Sequence, residues 1–256
     1  MIPAPPAGPP TGTIAARRAS PRGPLLAAIV TLAGTSWLVL AAGGSLHGPH
    51  AHPSGMEGLL LSVFMWFVMM VAMMLPAVLP WLTTFGEMAP DAYPGKSPYV
   101  VVAQFAGGYF VVWLVYSVVA AGLQGGLQRA AMLRMDLSVG ATIGGLILIV
   151  AGVFQLTPSK DACLEHCRSP LSFFLTRWDG GPSGPLKMGV RHGLYCAACC
   201  WALMALAFVL GVMNLLWMAV LTVIIVTEQW APRRLRLGQA YGIAFFVWGA
   251  ILIASS

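Results

Sequence analysis

FMWFVMMVAMMLPAVLPW, residues 64–81, runs for eighteen residues without a charged side chain. A helix needs about 20 predominantly apolar residues to cross a hydrocarbon core of about 30 Å. A membrane strand would alternate apolar with polar positions, and this stretch is apolar on every side. The run therefore reads as the middle of a transmembrane helix, placed at 58–82. Working outward, apolar segments of similar length recur at 24–42, 99–122, 139–156, 193–211, 214–231 and 237–254. The expected fold class is all-α: a polytopic transmembrane helical bundle of about seven spans.

Composition points the same way. The chain of 256 residues is 58% hydrophobic and 9% charged, whereas a soluble domain carries about a quarter charged residues. Such a chain cannot cover itself with polar groups in water, so the expected location is the cell (inner) membrane, as a multi-pass protein with the lipid bilayer as its first partner. The net charge of +6 matters through its distribution. With the N-terminus inside, Arg17, Arg18, Arg22, Lys96, Lys160, Arg168, Arg177, Lys187, Arg191, Arg233, Arg234 and Arg236 fall inside. Only Arg129 and Arg134 fall outside. That asymmetry predicts an N-in, C-out topology. No basic run with interleaved aromatics appears, so no nucleic-acid partner is expected. Residues 1–23, rich in Pro and Ala, read as a disordered tail, and residues 24–256 as one transmembrane domain. A competing reading makes residues 17–41 a signal peptide cleaved near Ala41 and Ala42.

Five cysteines fall in two clusters: ACLEHC (162–167), within an expected cytoplasmic loop at 157–191, and HGLYCAACCW (192–201), opening the fifth span. Both are expected at the cytoplasmic surface, where thiols stay reduced and structural disulfides are rare. At 100° per residue Cys196, Cys199 and Cys200 share one helix face with His192. Cys163, His166 and Cys167 repeat the spacing on a short helix that Thr157 would cap, with Pro158 at its first position. Thiolates with imidazole suit copper(I) or zinc. A buried cysteine can also be a small apolar side chain, and Cys196 with Cys199 forms a Cys-x-x-Cys pair.

On the second span Met65, Met69 and Met73 form one row, with Met70 and Met74 beside it. Thioethers are soft, uncharged ligands that tolerate lipid, and they are also ordinary gap-fillers. Pro76 and Pro80 are expected to kink this helix. The first outer loop, SLHGPHAHPSGME (45–57), offers His47, His50 and His52 for divalent-metal capture. Gly107 with Gly108 and Gly140 with Gly144 read as close helix packing. Glu228 reads as near enough to the inner surface to reach water. No phosphate-binding loop, dinucleotide fingerprint, nucleophile elbow or paired intramembrane carboxylates appear, so enzymatic activity is not expected from this chain alone.

MWFVMMVAMMLP (65–76), ACLEHCRSPLSFFLTRW (162–178) and MGVRHGLYCAACCWALMALAFVLGVMNLLWM (188–218) resemble a family of bacterial proteins known as predicted metal-binding integral membrane proteins, a domain of unknown function. The resemblance runs from about Leu60 to Gly249. It implies a multi-span membrane protein that binds metal, with motif residues Met69, Met70, Met73, Met74, Cys163, His166, Cys167, His192, Cys196, Cys199 and Cys200. It implies no particular reaction. The expected function is soft-metal handling, with copper moved or delivered through Met and Cys/His ligands. The alternatives are a metal-stabilised accessory subunit that assembles with a larger membrane enzyme, and a membrane thiol oxidoreductase.

Overall fold

The computed structural model describes residues 22–46, 55–134, 137–212 and 214–255. The tail at 1–21 and the loop holding His47, His50 and His52 lie outside the described residues. Within them the chain is helical, with no strand beyond one isolated bridge, Leu133 to Val139.

The seven apolar segments are helical, the fifth broken at Leu206 into a long and a short helix. Their main helices are α1 (Arg22–Leu46), α2 (Met56–Ala92), α3 (Pro98–Arg129), α4 (Ala141–Gln155), α7 (Gly184–Ala205), α9 (Leu215–Trp230) and α10 (Leu237–Ala254). Between them run the shorter α5 (Pro158–Arg168), α6 (Pro170–Arg177) and α8 (Ala207–Leu210). Five are long and apolar enough to cross a membrane: Arg22–Gly43, Met56–Ala92, Pro98–Arg129, Gly184–Leu210 and Leu237–Ala254. The fourth and sixth expected spans form helices of 15 and 16 residues. The first of these continues into α5 across a bend of 67°, and the pair together is long enough to make a sixth span.

Two elements differ in extent from expectation. α2 runs ten residues past residue 82, as a helix of 37 residues that contains Pro76, Pro80 and Pro90, and it packs against α1, α3 and α9. α7 begins at Gly184, with Pro185 in its first turn, rather than at residue 193. Its opening turns carry Lys187 and Arg191 on the exposed side, and those charges cut the apolar run short without stopping the helix. The segment at 157–191 is likewise no simple loop: α5 packs against α7 and α9, and α6 against α2. At its far end Tyr93 donates a hydrogen bond to the Asp179 carbonyl at 2.6 Å. Burial, with the Asp179 carboxylate adding to it, raises the pKa of that phenol.

Close helix approach sets the frame. A Cβ at Gly189 would meet the Phe105 carbonyl and one at Gly108 the Leu186 carbonyl, so α3 and α7 lie backbone to backbone. Gly145 with Gly249, and Gly152 with Gly242, do the same for α4 and α10. Gly144 packs on Val209, whereas Gly107 and Gly140 face open space. Inside, Trp66, Trp81, Trp113, Phe85 and Tyr109 are fully buried, while Leu38, Val119, Leu175, Leu216 and Ile251 point outward at 61–71% exposure.

Candidate metal centre

The sequence builds the centre from two helices. Thr157 caps α5 through its side chain, which accepts from the Lys160 N–H at 3.3 Å. The helix that follows buries Lys160, Leu164 and Cys167 and leaves Asp161, Glu165 and His166 exposed. α7 supplies Cys196, Cys199 and Cys200 from one buried face, each no more than 2% exposed. The Sγ atoms of Cys167, Cys196 and Cys199 lie within 4.8 Å of one another. Cys167 and Cys199 are 3.8 Å apart, and Cys200 adds a fourth sulfur 3.3 Å from Cys199. Metal–sulfur bonds of about 2.3 Å would set three ligands around a trigonal ion roughly 4 Å apart. The three sulfurs stand close to that spacing.

Neighbouring side chains hold the sulfurs in place. The Tyr109 hydroxyl of α3 lies 3.2 Å from Cys196 Sγ. The Gln229 amide of α9 donates to Cys196 Sγ at 3.5 Å and to Cys200 Sγ at 3.6 Å. Trp81 Nε1 of α2 donates to the Cys167 carbonyl at 3.1 Å, tying down the end of α5. Sequence reading missed Tyr109, Trp81 and Gln229 as neighbours of the site. Nothing local marks them, since each approaches from another helix.

The other expected ligands lie around this core. Cys163 is half-buried and stands outside the sulfur cluster. His166 is exposed, its Nδ1 2.9 Å from the Ala162 carbonyl and its ring stacked on Tyr195 at 4.3 Å. His192 is buried one turn before Cys196, stacked on Trp81 at 3.6 Å, and its nitrogens do not join the sulfur group. Its Nδ1 has no hydrogen-bond partner among the described residues, an open lone pair or donor beside the centre. Met69, Met70, Met73 and Met74 are all buried on α2. Cys167, Cys196, Cys199 and Cys200 are buried inside the bundle, and Cys196 stands twelve residues along α7 from its start.

Next to the sulfurs lies a buried ion pair. Lys160 Nζ meets Glu228 Oε2 at 2.5 Å with both side chains 1% exposed. Gln155 Nε2 donates to Glu228 Oε1 at 2.7 Å, and Arg168 Nε donates to the Glu228 carbonyl at 2.9 Å. Glu228 is thus enclosed rather than open to water, because α5 folds over it. The pair links α5, which carries Cys167, to α9, which carries Gln229.

A family described as PpoB2: Copper chaperone matches residues 63–252. No curated protein and no solved structure matches the chain.

Proposed function

The chain belongs to the PpoB2 copper chaperone family, and from that premise we propose that it is a membrane-embedded protein that holds Cu(I) on buried thiolates and delivers it to another protein. The observation that carries this reading is the trio of Cys167, Cys196 and Cys199 sulfurs within 4.8 Å inside the bundle. Cu(I) is a soft ion that prefers thiolate and thioether donors. Each thiol that binds gives up its proton, and the bound ion offsets the cost of burying the resulting charge. Cys200 stands ready as an exchange ligand, and His192 as a nitrogen donor one turn away.

The apolar helices and their outward Leu, Val and Ile side chains support a bilayer setting. We assign seven crossings with the N-terminus inside, the fourth made by α4 with α5. His47, His50 and His52 would then gather copper outside, and the α2 methionines Met69, Met70, Met73 and Met74 would lead inward. Elemental analysis of the detergent-purified protein tests the central claim. Near-stoichiometric copper is expected in the parent and little in the Cys196→Ser/Cys199→Ser variant. Equal copper in both would sink the thiolate assignment.

One observation favours a second reading. All three sulfurs are buried, as suits a metal that stays in place to brace the fold of an accessory subunit. A chelator chase separates the two. Copper that leaves within minutes to a competing acceptor fits delivery, and metal that leaves only on unfolding fits a brace. The same burial leaves Cys196 and Cys199 no face on which to meet a protein disulfide, which disfavours thiol oxidoreductase chemistry.

A further inference from the structure

A small cavity of about 10 Å³ lies between α2, α7, α8 and α9, bounded by Met69, Met73, Met204, Met218, Trp217 and a few small or aliphatic neighbours. Among the described residues, four of the nine that line it are methionine, whereas 14 in 256 residues would give nine positions about half of one. The four methionines that line it come from three separate helices, α2, α7 and α9, so the Met-rich stretch of α2 accounts for only two of them. The space suits one water-sized body, but a water needs two to four polar partners. The remaining wall residues, Ala207, Leu210, Gly211, Trp217 and Leu221, offer no hydroxyl, amide or charge from their side chains apart from the indole N–H. The wall is therefore poor in partners for water, and the only soft donors its side chains offer are the thioethers.

We propose that this cavity is a second Cu(I) site, a thioether station that feeds the thiolate cluster. The link is α7 itself: Cys196, Cys200 and Met204 recur every four residues and form one row along the helix. At 1.5 Å per residue, each step is about 6 Å along the axis. The transfer is a ligand exchange with copper remaining Cu(I): a thioether bond breaks, a thiolate bond forms, and the thiol's proton leaves. Its direction follows from charge. Four neutral thioethers leave the ion's positive charge uncompensated inside the bundle, and thiolates compensate it. The existence of the station is independent of the cysteine reading, while the direction of transfer rests on it.

The test is Cu(I) titration of the full chain in detergent against a competing chelator, with sulfur coordination followed by X-ray absorption. Leucine replaces methionine at nearly constant volume, so Met204→Leu/Met218→Leu should fold, with a thermal-melt check alongside. The parent is expected to bind two ions and this variant one. A variant with Cys167, Cys196, Cys199 and Cys200 all changed to Ala should retain one ion, and adding the two Leu changes should remove it. Two ions in Met204→Leu/Met218→Leu, or none in the cysteine-free variant, would overturn the station. Failure of the thiolate reading looks different: the cysteine-free variant would then bind as much as the parent.

Discussion

Cys163 and Cys167 are one helical turn apart, yet only Cys167 joins the sulfur cluster. The difference is set by Lys160, which turns inward to Glu228 and fixes the rotation of α5 so that the cluster lies on the Lys160, Leu164 and Cys167 line. Glu228→Gln would leave Lys160 charged, buried and unpaired, a loss of about 3–5 kcal/mol. We expect a marked fall in the thermal midpoint of the detergent-solubilised protein. The Lys160→Met/Glu228→Met double variant should recover much of it, because removing both charges is far less costly than removing one. A midpoint for Glu228→Gln equal to that of the parent would show that the pair does not hold α5. The grouping of Cys196, Cys199 and Cys200 was legible in the sequence because the helical period alone places them together. Lys160 was not: it read as a loop charge, since its partner is 68 residues away. Met204 and Met218 were equally hidden, each isolated along the chain and joined only by three-helix packing.

Among the elements, α3 and α7 carry the closest contact to the site, and Gly189 permits it. A Cβ there has nowhere to go but into the Phe105 backbone. Gly189→Ala must push the helices apart, at a cost of about 1–3 kcal/mol. It should also stretch the Tyr109–Cys196 contact of 3.2 Å. We expect a lower melting temperature together with weaker copper retention. Gly107→Ala, with nothing within 4 Å of the added carbon, should leave both unchanged and serves as the control. Element type was readable in the seven apolar segments, because uniform apolar runs leave only helices. Element boundaries were less so. Lys187 and Arg191 ended the apparent fifth span at residue 193, although a helix carries such side chains on its outer side without breaking. α6 escaped notice because a run of eight residues, Pro170–Arg177, is too short to declare a period.

For the whole molecule, charge asymmetry is the main guide to orientation, and it predicts where reporters will work. Alkaline phosphatase, active only outside the cytoplasm, should be active when fused after Ser256 and inactive when fused after Arg234. The reverse pattern would place the C-terminus inside and turn the whole route around. α2, at 37 residues, is about 55 Å long, well beyond a hydrocarbon core of about 30 Å. In the proposed bilayer setting it would tilt or stand proud of the hydrocarbon core, and its last turns lie beside Tyr93 and Trp178. The sulfur centre is also shared unequally: α7 contributes Cys196 and Cys199 from a helix fixed against α3, whereas α5 contributes Cys167 alone, from a short segment held by Lys160, Arg168 and Trp81 and by its packing on α7 and α9. On the proposed reading, a lean of α5 changes the denticity of the site from three to two while the α7 pair stays where it is. Grip on the ion then becomes adjustable by one small helix, and an acceptor that draws α5 aside would meet a copper atom already short of a ligand.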